Sequence, residues 1–313
     1  HEEANAMSQM VKSKRNANRI REGSRTVTFL IYAFITFLCF ITIYPMYFCV
    51  IKSISDPLLS LKQPVTFWPA GFYLGLYKPI VTNMDMWRSY AYTIFYTISG
   101  TVLMLITSVL GAYPLVNKKL RGRKLIVAYL LIPMYFSGGL IPSYMNNIRL
   151  GLYNNVWVMI IPGAVGIWNI ILVRTYFNTS VPNELVESAE IDGAGCMTIL
   201  AKIYVPLSKP VLAVIAIYTI VGKWNDWFTA MVYLRKTSIQ PLQMYLKRLL
   251  VSQTVDISKM MTQENIAEAI RQSVSAQQMK YALIVFVTLP IILVYPMFQK
   301  YFVKGIMLGS LKG

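Results

Sequence analysis

The chain has 313 residues, 56% of them hydrophobic and 14% charged, with 30 Lys/Arg against 13 Asp/Glu and a formal net charge of +17. A chain this apolar is too greasy for a soluble domain of its size and reads as an integral membrane protein. Three cysteines and one histidine supply neither a disulfide framework nor a metal-ligand spacing, and the basic residues crowd the ends of apolar runs, which argues against nucleic acid as a partner.

In chain order, residues 1–6 precede the first methionine and are set aside. The N-terminal segment 1–25 is basic (Lys12, Lys14, Arg15, Arg19, Arg21, Arg25). No small-residue cleavage site follows it, so it is not a removable signal. Residues 26–51 carry no charge, enough for a full span. Residues 52–88, with Pro57, Pro64, Pro69 and Gly71, read as a folded loop. Uncharged runs then lie between Arg88 and Lys118, between Lys124 and Arg149, and over 150–173. A fifth starts at Pro210 and a sixth lies between Lys280 and Lys300. The polar segment 232–279 separates the last two, with an amphipathic portion around 264–272.

Six spans predict an all-α polytopic membrane fold over 26–304 with both termini on one side. The segments on that side (1–25, 115–124, 174–209 and 300–313) hold seventeen Lys/Arg, against twelve opposite. The short link 117–124 carries five positive charges and no negative one. That bias makes the side cytoplasmic and puts 232–279 outside the cell. Prolines (Pro45, Pro114, Pro133, Pro162, Pro290, Pro296) and glycines (Gly111, Gly138, Gly139, Gly163, Gly166) in the runs predict kinked or broken helices.

One stretch departs from this pattern. Within 181–210, four of the thirteen carboxylates (Glu184, Glu187, Glu190 and Asp192) fall in nine residues, and none occurs between Asp85 and Glu184. Pro182 near a helix start, carboxylates in the first turns and an Asp192-Gly193 turn signal predict a helix, a turn and a second helix. Pro206 and Pro210 bracket the start of the fifth run. Residue chemistry alone is equally satisfied by an ordinary surface helix pair.

Spacing adds to this. Glu187-Ser188-Ala189, Gly193 four residues after Ala189, Ile203 ten further on and then Val205-Pro206 resemble the EAA motif of ABC importer permeases. Ser188 and Val205 are mild departures from that motif's alanine and leucine. Residues 187–194 look like the carbohydrate-uptake branch, and Lys223-Trp224-Asn225-Asp226-Trp227 resembles its Trp-Asn element. The ending from Phe298 to Gly313 resembles the smaller permease of maltose transporters, and more narrowly the second permease of lipoprotein-dependent polysaccharide importers.

The resemblance implies a type I importer permease fold in a bacterial plasma membrane, with a cytoplasmic coupling loop at 178–209 and a coupling helix between spans four and five. It implies ATPase coupling through Glu184, Glu187, Ser188, Ala189, Asp192, Gly193, Ala194, Ile203 and Pro206. A C-terminal tail, 305–313, would touch the ATPases through Gly309, Lys312 and Gly313. The implied partners are a second permease, two cytoplasmic ATPases that use ATP and Mg, an extracellular substrate-binding lipoprotein, membrane lipid and a saccharide. The chain itself carries no P-loop and no catalytic set, so no cofactor and no enzymatic activity are expected of it.

Lys223 and Asp226 lie about 20–24 Å along the fifth segment from Pro210, where a charge costs about 2.5–3.5 kcal/mol on insertion scales. At i,i+3 they could pair. Lys223, Trp224, Asn225, Asp226 and Trp227 either line a translocation cavity that meets saccharide or serve as an interfacial anchor and packing network. An ion-coupled secondary transporter is the competing function. It would need more charges along the spans and an inverted repeat, and neither is visible.

Overall fold

The computed structural model describes residues 2–118, 120–256, 274–275, 277–293 and 296, and every regular element among them is helical. Residues 1–74 and 75–313 form two compact units.

In the first unit a single helix, α1 (Glu2–Ser53), carries a 27-residue apolar stretch from Val27 to Ser53, with a mean hydropathy of 2.3 over an 18-residue window, which suits a membrane span. After it the chain folds back on itself. Asp56 N–H donates to Ala70 O at 2.9 Å, Tyr73 N–H to Ile54 O at 2.8 Å, and Ala70 N–H to Ser55 Oγ at 3.2 Å. A one-turn helix, α2 (Leu59–Lys62), lies within this loop.

The second unit begins with a short helix, α3 (Lys78–Val81), and is built around α4 (Met84–Val116). Asn83 caps α4 by accepting from the Asp85 and Met86 amides at 3.0 and 3.2 Å, and Asp85 adds a carboxylate to the positive end of the dipole. The buried stripe of α4 is Met86, Ser89, Thr93, Tyr96, Thr97, Gly100, Thr101, Ser108, Ala112 and Leu115, at helical spacing. Its exposed face carries Ile94, Phe95, Ile98, Val102, Ile106 and Leu110. Apart from Met86, Tyr96 and Leu115 the inner residues are small or hydroxylated, while large apolar ones lie outside, which inverts the soluble pattern. That arrangement suits a helix surrounded by lipid, where close backbone approach drives packing.

After α4 come α5 (Arg123–Tyr135), α6 (Leu140–Arg149), α7 (Ile167–Ser180), α8 (Asn183–Ile191) and α9 (Cys196–Ile199). A widened turn over Leu200–Tyr204 leads into α10 (Val205–Leu207), α11 (Lys209–Trp224), α12 (Trp227–Tyr233), α13 (Leu242–Asp256) and α14 (Gln277–Leu293). α11 and α7 pack most extensively on α4.

Two of the apolar runs differ from continuous spans. The run between Lys124 and Arg149 turns by 111° between α5 and α6. Gly139, at φ +84° and ψ −179°, makes that turn in a conformation essentially confined to glycine. The run 150–173 is not one helix: a short 3-10 turn (Val156–Met159) and a loop through Pro162 and Gly163 occupy it, and α7 starts only at Ile167. Asn154 and Asn155 divert the chain. Asn154 sits at φ +55°, and its Oδ1 accepts from the Arg235 and Lys236 amides at 3.1 and 2.9 Å. Asn155 Oδ1 caps the 3-10 turn.

Among the described residues, two helices can each cross a membrane by length and composition, α4 and the apolar part of α1, and four segments can if each bent pair is one span. The second bent pair turns by 78° between Leu207 and Lys209, at the start of the fifth run.

Candidate functional site

Residues 181–210 fold as a helix, a tight turn and a second, bent helical segment. α8 begins after Pro182, an extended residue at φ −64° and ψ 135°. The helix ends in a closed hydrogen-bonded loop: Ala194 N–H donates to Ala189 O at 2.9 Å and Gly193 N–H to Glu190 O at 3.0 Å. That is the Schellman arrangement, and it requires a left-handed residue at the position Gly193 occupies, with φ +79°. Nothing lies within 4 Å of a Cβ placed there. The glycine is thus required by backbone conformation, not by crowding.

The turn splits the expected residues into two faces. Glu184, Glu187, Ser188, Asp192 and Gly193 are exposed, as are Leu185 and Ile191 beside them. Ala189, Ala194 and Ile203 are half-buried and pack, with Val186 and Val205, on a core of Leu115, Val173, Phe177, Ile199, Leu200 and Tyr204. Pro206 is exposed and interrupts backbone bonding just after the widened turn.

Residues that the sequence did not single out hold this unit down. Tyr113, near the end of α4, donates its hydroxyl to Cys196 O at 3.0 Å. Tyr204 stands edge-on to both Phe177 and Tyr113, at centroid distances of 4.9 and 5.3 Å. Arg174 Nε donates to Leu115 O at 3.2 Å and Arg123 to Val116 O at 3.4 Å, so two cations close the C-terminal carbonyls of α4. All but the Arg123 bond join residues far apart in sequence, so no local pattern announces them.

The second motif does not stay together. α11 ends at Trp224 and α12 starts at Trp227, so Lys223 and Asp226 are not on one helix. They form no ion pair; among the described residues the one found is Asp85–Arg88, at 3.1 Å. The i,i+3 pairing fails because the spacing rule needs a continuous helix.

The Lys223 ammonium donates to Met159 O at 2.6 Å. A Cβ on Gly100 would lie 3.0 Å from Lys223 Cε, and one on Gly163 would lie 3.0 Å from Nζ, so these two glycines make room for the side chain. Asp226 caps α12, its Oδ1 accepting from Thr229 N–H at 3.1 Å. Asn225 bonds back to Val221 O at 3.0 Å and accepts from Gln243 at 3.3 Å. Trp227 is half exposed beneath the Lys247 ammonium, 3.8 Å from its ring centroid. Trp224 is buried and lines a cavity of about 440 Å³ between α4, α11 and α14.

Gly309, Lys312 and Gly313, with the rest of the tail 305–313 and the amphipathic portion 264–272, lie outside the described residues.

No protein-family model matches the chain. It is similar to "Protein LplC" of Bacillus subtilis, with 36% identity over 273 residues that span 87% of this chain and 90% of that protein. The polygalacturonan/rhamnogalacturonan transport system permease protein YtcP, also from Bacillus subtilis, is 32% identical over 293 residues, spanning 93% of this chain and 99% of YtcP. Among solved structures, a chain of a bacterial ABC transporter involved in import of the acidic polysaccharide alginate superposes with a TM-score of 0.78 and 35% identity. That match covers 89% of this chain and 97% of the other.

Proposed function

The chain belongs to the permease subunits of carbohydrate ABC importers, and from that premise we propose that it forms half of a membrane pathway taking up a polysaccharide-derived oligosaccharide. In this reading six spans cross a bacterial plasma membrane with both termini in the cytoplasm. The bent pairs count as one span each, and the short α7 and α14 are completed by their neighbours. A second permease, two ATPases and an extracellular binding lipoprotein complete the importer, and ATP and Mg belong to the ATPases.

The observation that carries the reading is the build of residues 181–210. An exposed stripe of Glu184, Glu187, Ser188 and Ile191 projects from a helix whose other face is fixed to the unit's core. A segment closed by hydrogen bonds at Gly193 and seated on Phe177 and Tyr204 moves as one body, so a push on its outer face reaches α7 and α11. We take Glu184, Glu187, Ser188 and Asp192 as contacts to the ATPase. Gly193 gives the turn, Ala189, Ala194 and Ile203 form the seat, and Pro206 sets the bend into α11. Among Lys223, Trp224, Asn225, Asp226 and Trp227, Trp224 is the residue assigned to the pathway.

The polysaccharide transporters among its relatives support a saccharide substrate. Nothing in the structure favours an ion-coupled carrier: Lys223 is bonded to a backbone carbonyl and Asp226 caps a helix.

The test is uptake and ATP hydrolysis by the complete importer in proteoliposomes. Wild type hydrolyses ATP faster when the loaded binding lipoprotein is present. Glu187→Lys and Gly193→Pro assemble but lose that stimulation. Normal stimulation in both variants would overturn the coupling role, and uptake driven by an ion gradient without ATP would overturn the importer reading.

A further inference from the structure

The apolar stretch of α1 is longer than a bilayer is thick. Its 27 residues extend about 40 Å, whereas the hydrocarbon layer measures about 30 Å. With Arg25 marking one border, the surplus of about 10 Å is the part from Tyr47 to Ser53. That is where the chain folds back. Tyr47 donates its hydroxyl to Phe67 O, and Tyr44 donates to Thr66 O at 3.3 Å. Ser53 and Ser55 are fully buried, and Ile51, Val65 and Ala70 form a small core on which Phe48 packs. The turns before Tyr44 stay bare, with Phe34, Phe37, Phe40 and Ile43 each more than half exposed.

The outer surface of this fold-back is aromatic. Trp68 is 81% exposed, the most exposed tryptophan of the chain, and Phe67, Phe72 and Tyr73 of the same strip are exposed as well. Asp56 is the one acid between Glu22 and Asp85, and it is turned onto the backbone. Its carboxylate accepts from the Leu58 and Leu59 amides at 2.8 and 3.2 Å. The patch therefore continues the bare surface of a span at the depth where hydrocarbon gives way to headgroups. Tryptophan and tyrosine concentrate at that depth because each joins an apolar ring to one polar group. Carbonyls withdrawn from bulk water need donors, and the Tyr44 and Tyr47 hydroxyls supply them to Thr66 and Phe67.

We propose that the strip 64–74 is a membrane anchor lying in the headgroup–acyl boundary of the bilayer. Trp68 and Phe72 sit among lipids, and Tyr44 and Tyr47 fix the strip at that depth. The anchor sets how far α1 is drawn into the membrane, since a stretch longer than the hydrocarbon layer is otherwise accommodated by tilting. It requires α1 to be a span, and it is independent of the substrate and of the coupling role.

The test uses the complete importer in proteoliposomes of phosphatidylethanolamine and phosphatidylglycerol. In a background of Cys39→Ala, Cys49→Ala and Cys196→Ala, Trp68→Cys carries a bimane label. Phe37→Cys, midway between Val27 and Tyr47, is the control. Nitroxide lipids labelled near the headgroup should quench the label at position 68 roughly two- to threefold more than lipids labelled near the acyl end. The order should reverse at position 37, and iodide on both sides of the membrane should quench neither strongly. Tyr47→Phe leaves the Phe67 carbonyl without its donor. It should cut the shallow quenching at position 68 and raise the quenching by iodide.

Strong iodide quenching at position 68 with the control intact overturns the anchor, because the strip then stands in water. Protection from both iodide and nitroxide lipids also overturns it, because a protein partner then covers the patch. An unchanged profile in Tyr47→Phe overturns the fixing role of that tyrosine. A control that deep nitroxides fail to quench overturns the span and the anchor together, and leaves the importer family untouched.

Discussion

Residues 181–210 and residues 223–227 are both motif-like stretches next to α11, yet they fold in opposite ways. The first stays a local unit: its turn is closed by bonds between residues five and three apart, and one face packs while the other is exposed. The second scatters, sending Lys223 to Met159, Asn225 to Gln243, Asp226 to its own helix and Trp227 under Lys247. The difference lies in where helices end. α8 ends inside its motif by a capped turn that holds both sides together, whereas α11 ends inside the second motif at a break that points successive side chains in different directions.

Substitutions can break or sharpen this contrast. The largest effect is expected at Gly193→Pro, which removes the N–H bonded to Glu190 and demands φ near −65° where the chain has +79°. Substrate-stimulated ATP hydrolysis should fall more than tenfold while the subunits still co-purify, and retained stimulation would show that the turn need not be closed.

Next comes Lys223→Met, which leaves the Met159 carbonyl without its donor at a cost of about 1–3 kcal/mol. It should lower the melting temperature of the detergent-solubilised complex and leave the coupling ratio unaltered. A loss of coupling instead would mean that the scattered motif also transmits force.

Gly193→Ala, which meets no steric obstacle but must adopt the left-handed conformation, should cost about 1 kcal/mol and only partly reduce stimulation. Smallest is the pair Asp226→Ala and Asp226→Asn. Loss of the cap should cost about 1 kcal/mol of thermal stability, and asparagine should restore nearly all of it. Equal loss in both would mean that the carboxylate charge matters beyond capping.

Much of the architecture was legible from residue chemistry. The apolar part of α1 and all of α4 are uncharged beyond their capped or basic ends, so their existence followed from hydropathy, and the turn at Gly193 followed from Asp192-Gly193. The run over 150–173 is broken more severely than its proline and glycines announced, with α7 starting only at Ile167. Its apolar count is high, and the Asn154 side chain that diverts it acts through the Arg235 and Lys236 amides, eighty residues on. The pairing of Lys223 with Asp226 was misread for a related reason, since periodicity says nothing about where a helix stops. Tyr113 and Arg174 were invisible because each matters only through what packs beside it.

The inner face of α4 has a consequence for which changes this protein can accept. A Cβ on Gly111 would come within 2.9 Å of Ile170 Cδ1, and one on Gly100 within 3.0 Å of Lys223 Cε. Along that face the limiting quantity is side-chain volume, while polarity is tolerated, as the serines and threonines show. Random mutagenesis of α4 should therefore yield a map inverted from that of a water-soluble helix. Serine-for-alanine exchanges would be silent inside, alanine-for-glycine exchanges harmful there, and large apolar residues freely interchangeable outside.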